Sequence, residues 1–242
     1  MTGACVVIGA GDATGGAIAR AFAQEGLTAC VARRPRHMDQ LDALADRIRS
    51  QGGQAAAFGV DARDEDAMIA LFDQIEADIG PIEVAVFNIG ANVNFPIEET
   101  TARTYRKVWE MAAFAGFLTG REAARRMIPR QHGSIFFTGA TAALRGGKGY
   151  SAFAGAKFAL RALSQSMARE LGPKNIHVAH IVIDGAIDTD FIAQFVEDMD
   201  AARAEDRLLS PDAIAANYVW LHKQPRSAWT QEVDLRPWKE HW

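Results

Sequence analysis

Apolar positions along the chain fall into two alternating patterns, short continuous runs and longer stretches at helical spacing. Ala4-Cys5-Val6-Val7-Ile8 is a continuous apolar run stopped by Gly9, the pattern of a strand buried on both faces. Ala17, Ile18, Ala21 and Phe22 then recur at helical spacing, and Gly26 ends that helix. The alternation continues, predicting further strands at 28–32, 55–60, 82–88, 134–138, 177–183 and 232–235. Helices are expected between them near 39–50, 65–78, 101–127, up to about 171, and over 191–207 and 211–221. Strands separated by helices predict a parallel, seven-stranded α/β sheet covered on both faces. No repeat, low-complexity tract or linker interrupts the pattern, so one domain over 1–242 is expected.

The turn after the first strand reads Gly9-Ala10-Gly11-Asp12-Ala13-Thr14-Gly15-Gly16. Glycines belong where a pyrophosphate lies against bare backbone N–H groups at a helix N-terminus, although a tight turn alone also uses them. Here the turn follows the first strand and opens a helix, which is the informative context.

With these residues in view, the chain resembles the short-chain dehydrogenase/reductase family. Ala17-Ile18-Ala19 fixes the register of the family's three glycines at Gly9, Ala13 and Gly15, so the middle one is alanine. Asp61, with Ala62, matches the aspartate that meets the adenine amino group in that family. Asn88-Ile89-Gly90 matches its Asn-Ala-Gly segment beside the adenine ribose. Gly185, Ile187 and Thr189 fall in the segment that fixes the nicotinamide carboxamide, with Asp184 in place of its proline. The resemblance implies a doubly wound Rossmann domain binding a nicotinamide dinucleotide through Gly9, Gly11, Asp12, Ala13, Thr14 and Gly15.

The end of the second strand decides which dinucleotide is expected. NAD-specific sites carry a carboxylate there, and a carboxylate repels a 2′-phosphate. This chain has Ala32 followed by Arg33 and Arg34, whose planar guanidinium groups suit a phosphate. Asp12 is the counterweight. NADP(H) is expected over NAD(H).

The catalytic positions that the resemblance implies are mostly replaced. A lysine, a tyrosine four residues before it, a serine thirteen before the tyrosine and an asparagine in the long helix map to Lys157, Phe153, Ala140 and Ala112. Phenylalanine neither donates nor accepts a proton. Tyr150 lies seven residues from Lys157, two helical turns, and is a substitute only if its loop folds inward. Thr138, Thr141, and Asp184 or Asp188 with a pKa raised by burial, are further substitutes.

Composition then narrows the partners. The 242 residues are 49% hydrophobic and 23% charged with a formal net charge of −4, which argues against nucleic acid or an anionic membrane. Cys5 and Cys30 sit in apolar runs and read as buried thiols. No apolar stretch reaches a membrane span of ~18 residues, and Met1 leads directly into a strand, so a cytoplasmic protein is expected. His177 and His180 should face opposite sides of their strand, and no metal site is expected. Trp220, Trp229, Trp238 and Trp242 gather near one terminus, and 109–117 is aromatic-rich. Together with the resemblance they imply a homodimer or homotetramer, with a seam in 220–242. Phe191, Ile192, Phe195 and Val196 form an apolar stripe in 188–209, where the family has a substrate lid. Two functions remain open. One is an oxidoreductase on an apolar carbonyl or alcohol with an unusual proton donor. The other is a dinucleotide-binding protein without ordinary turnover, serving as sensor, scaffold or partner subunit.

Overall fold

In the computed structural model, which describes residues 3–240, each apolar run is a strand of one parallel sheet. In chain order the elements begin with β1 (Ala4–Ile8), α1 (Thr14–Gln24), β2 (Thr28–Arg33), α2 (Met38–Ser50), β3 (Gln54–Gly59) and α3 (Glu65–Asp78). They continue with β4 (Ile82–Phe87), α4 (Ala102–Trp109), α5 (Ala115–Arg130), β5 (Ser134–Thr138), α6 (Ser151–Leu171) and β6 (His177–Ile183). Two short helices, α7 (Asp190–Ala193) and α8 (Met199–Ala204), precede α9 (Pro211–His222) and β7 (Glu232–Leu235). The sheet order is β3-β2-β1-β4-β5-β6-β7, the doubly wound single domain that the alternation predicts.

Side-chain alternation sends each strand's apolar residues to two separate cores. Val6, Ile8, Ala85, Phe87 and Phe137 meet α3, α5 and α6 on one face. Val7, Val31, Val86, Phe136 and Ile181 meet α1, α2 and α9 on the other. Cys5 and Cys30 fall on opposite faces; both are free and buried, and burial pushes the Cys30 thiol up to about 12. His177 and His180 also part company. The first stacks on Trp229 at 4.8 Å, and the Nδ1 of the second meets Glu232 at 3.0 Å.

Two expected helices differ in detail. The long helix near 101–127 is interrupted by a π-helical stretch, Glu110–Phe114, and runs on to Arg130. The wider turn brings Trp109 and Phe114, five residues apart, into a stack at 6.2 Å. The helix expected over 191–207 is two helices, because Thr189 and Asp198 each cap a separate N-terminus with the side chain. Of the C-terminal tryptophans, Trp220 and Trp238 are exposed, Trp229 packs on its own domain, and Trp242 lies outside the described residues.

Helix α9 is fastened to the sheet by polar contacts, one of them fully buried. Tyr218 is wholly buried, and its hydroxyl shares a hydrogen bond of 2.7 Å with the Thr138 hydroxyl. Tyr218→Phe strands the threonine hydroxyl and is expected to lower the unfolding free energy by about 1–2 kcal/mol. Urea denaturation with an unchanged slope checks this.

Candidate functional site

Strand order reverses between β1 and β4, and the crevice opened there at the carboxyl ends of the strands is the cleft of the molecule. Two joined hollows fill it, of about 280 Å³ and about 600 Å³, with Gly9, Gly11 and Asn88–Gly90 in the walls of both. The Asn88 side chain donates to the Gly9 carbonyl at 3.2 Å, tying the two strand ends together across the reversal.

The glycine-rich turn is shaped by close approach. Gly9 has φ +94°, and a Cβ there would lie 2.8 Å from the Asn88 carbonyl oxygen. A Cβ on Gly15 would lie 2.5 Å from the Gly9 oxygen. Ala13, at the middle position, has φ −90°, outside the left-handed region that favours glycine. No side chain caps the N-terminus of α1, so its first N–H groups are left for an anion, and the cradle fits a pyrophosphate. Asp12 is drawn away into an exposed pair with Arg47 at 3.0 Å.

The smaller hollow is cationic. Arg33, Arg34, His37 and Arg63 line it with one carboxylate, Asp61. Desolvation lowers the Arg34 pKa first, and the charges of Arg36, Arg63 and Arg33 lower it further against Asp61. Asp61 is fully engaged by its neighbour, accepting from Arg63 Nε at 2.9 Å and Nη2 at 2.5 Å, and this hydrogen bonding holds its carboxyl below the usual range. Arg63 was not singled out in the sequence, although its place two residues beyond Asp61 was the available signal.

The larger hollow runs from the glycine turn past Lys157 to the β5–α6 loop and α7. Lys157 is buried and donates to the carbonyls of Ile89 at 3.1 Å and Thr138 at 2.8 Å. Desolvation pushes its ammonium down to about 7. Phe153 lies one turn earlier with its ring 5.8 Å from the Lys157 nitrogen. Ala112, Phe153 and Ala140 meet in one small apolar cluster with Val108, Ala142 and Ala152. The positions assigned to the asparagine, tyrosine and serine are therefore neighbours in space, and all three present hydrocarbon.

The substitutes are distributed unevenly. Tyr150 packs against that cluster and lines the larger hollow, and its hydroxyl has no hydrogen-bond partner among the described residues. Thr138 and Thr141 already spend their hydroxyls, on Tyr218 and on Asp184 respectively. Asp184 is buried and accepts from Thr141 at 2.5 Å with Arg236 at 3.2 Å, while its backbone N–H donates to Leu235 at 2.8 Å. Proline could not make that last bond, which extends the pairing of β6 with β7. Asp188 departs from expectation. Arg203 grips it at 2.8 and 2.9 Å and holds its pKa down, not up, so it is no proton donor near neutrality. At the same end, Gly185 has φ +154° with Pro237 pressed against it, Ile187 bridges to Leu209, and the Thr189 hydroxyl caps Ile192.

The Lys157 shift has a measurable consequence. Because the folded-state pKa lies below the unfolded one, burial of the charge costs stability fully below about pH 7, and the cost is relieved as pH rises toward the unfolded value. Wild type should therefore gain stability relative to Lys157→Met between about pH 6.5 and about pH 9, read from paired denaturation curves. A flat difference would show that Lys157 is not buried charged.

Known proteins place this geometry in context. The short chain dehydrogenase family model matches residues 4–200. A short-chain dehydrogenase from Rhodopseudomonas palustris, known by crystal structure, is 49% identical with a TM-score of 0.83, over 98% of this chain and 99% of that one. A 3-oxoacyl-[acyl-carrier-protein] reductase of Bos taurus is 28% identical over 82% of this chain and 81% of its own length. A versicolorin reductase of Emericella nidulans is 30% identical over 76% and 69% respectively. The chain, with its doubly wound sheet and glycine-lined crevice, thus belongs to the short chain dehydrogenase family of NAD(P)-dependent oxidoreductases.

Proposed function

We propose that this protein is an NADP(H)-dependent oxidoreductase of a small carbonyl or alcohol compound with a largely apolar body, and that its proton donor is not at position 153. One observation carries the reading. The glycine cradle, the arginine-lined hollow and buried Lys157 border one continuous crevice whose far end is walled by Ala140, Ala142, Tyr150, Phe153, Phe191 and Ile192.

When bound, the nicotinamide exchanges a hydride with the substrate carbon. The chain's own residues do the rest. Gly9, Gly11, Ala13, Thr14 and Gly15 offer backbone N–H groups to the pyrophosphate, and Arg33, Arg34 and Arg63 meet the 2′-phosphate. Asp61, Ala62, Asn88, Ile89 and Gly90 border the adenosine half. Gly185, Ile187 and Thr189 border the nicotinamide. Lys157 uses two of its three N–H donors on carbonyls, which leaves one for the ribose. The Tyr150 hydroxyl, unpartnered in the same hollow, delivers the proton. In this reading 188–209 is a lid over the substrate. Exposed Tyr105, Trp109, Phe117 and Phe158, with Trp220, form the seams of a homodimer or homotetramer. A cytoplasmic location goes with this reading, and no described helix is long and apolar enough to cross a membrane.

A second reading has its own support. The apolar cluster of Ala112, Ala140 and Phe153 suits a dinucleotide-binding sensor, scaffold or partner subunit without ordinary turnover. The two separate in one experiment, NADPH oxidation against a panel of carbonyl compounds. On the oxidoreductase reading, the parent turns over slowly, Tyr150→Phe abolishes that rate, and Phe153→Tyr with Ala140→Ser raises it by about 10²-fold or more. A folded, NADPH-binding parent with no turnover on any compound would establish the second reading instead.

A further inference from the structure

The larger hollow is electrically one-sided. Among the described residues its only charged lining groups are Arg145 and Lys157, and no described carboxylate lines it. Lys157 sits on the floor with two carbonyls and is assigned above to the ribose. Arg145 is different. It stands in the β5–α6 loop, away from the smaller arginine-lined hollow, and its side chain is half exposed. Its nearest carboxylate, Asp184, is 3.8 Å away, beyond hydrogen-bond reach.

Asp184 has nearer neighbours than Arg145. Its Oδ1 accepts from the Thr141 hydroxyl at 2.5 Å, and its Oδ2 lies 3.2 Å from Arg236 in an ion pair, while Arg236 is also paired with Asp234. The carboxylate thus sits behind the wall and steadies Arg145 from a distance, while the guanidinium keeps its donors for something in the hollow. Around it the lining is apolar, with Tyr150, Phe153, Phe191 and Ile192.

We infer that Arg145 is a specificity-determining residue that binds a carboxylate, so that the substrate is a carbonyl or alcohol compound with an apolar body and one anionic end. A planar guanidinium with free donors matches a carboxylate in a two-point contact. One half-exposed guanidinium matches a single negative charge better than a phosphate dianion. The largely apolar wall disfavours a sugar-like body, most of whose hydroxyls would lose water without gaining partners. This inference rests on the oxidoreductase reading and adds the substrate's charge to it.

The test uses the NADPH-saturated full chain and matched probes, benzoylformate, methyl benzoylformate and phenyl phosphate, with binding read by calorimetry. Benzoylformate is expected to bind at least about tenfold more tightly than its methyl ester and than phenyl phosphate. Arg145→Gln should bring the acid-to-ester ratio to about one, and Arg145→Lys should restore part of it, since a point charge replaces the fork. Equal affinity for acid and ester, failure of all three probes to bind, or a preference that survives Arg145→Gln overturns the inference. Tighter binding of phenyl phosphate overturns the carboxylate assignment. These results leave the oxidoreductase reading standing, provided NADPH binds and is oxidised. A protein that binds no nicotinamide nucleotide contradicts that reading, and the inference with it.

Discussion

The crevice depends on a single buried cation. Lys157 reaches from α6 to the carbonyl of Ile89, beyond the end of β4, and to that of Thr138, at the end of β5. Those carbonyls would otherwise be backbone acceptors at the strand ends without a donor, and burial makes unpaired polar groups costly. The lysine therefore fixes the distance between helix and sheet at the place where the two hollows meet. Its own charge is destabilised by the same burial, which is why its pKa falls to about 7. Structure and reactivity are here two sides of one desolvation.

Around that lysine Ala112, Ala140 and Phe153, the positions that the resemblance maps to asparagine, serine and tyrosine, pack in one apolar cluster. Such a cluster makes physical sense. Losing one partner of a buried polar network leaves the others unsatisfied, whereas replacing all of them by well-packed hydrocarbon leaves nothing unpaired. Lys157 is held by two carbonyls instead of a phenol. In the β5–α6 loop Tyr150 and Arg145 line the hollow, and Thr141 is bonded to Asp184.

Much of this was legible in the chain. The strands Ala4–Ile8, Ser134–Thr138, His177–Ile183 and Glu232–Leu235 are continuous apolar or alternating runs whose limits are fixed by glycine or by charge, and they stand where the pattern put them. The π-helical turn at Glu110–Phe114 was not legible, because its apolar spacing is close to that of an ordinary helix and only the stack of Trp109 on Phe114 betrays it. The break between α7 and α8 was signalled by Asp198, a capping residue that is read equally well as part of a charged helical face. Within the crevice, the glycine turn was readable because close backbone approach demands it, and Asn88-Ile89-Gly90 was readable through the family resemblance. Arg145 and the partners of Asp184 were not, since such residues gain meaning only from neighbours far away in sequence, as Asp184 and Arg236 do here.

On the proposed function, the crevice holds a nicotinamide dinucleotide whose 2′-phosphate is met by Arg33, Arg34 and Arg63. The most direct measurement is calorimetric titration of the purified protein with NADPH and with NADH at one fixed salt concentration. NADPH should bind tightly, at least about tenfold in preference to NADH, a difference of about 1.4 kcal/mol. Equal binding of the two would contradict the arginine assignment, and binding of neither would contradict the cofactor itself.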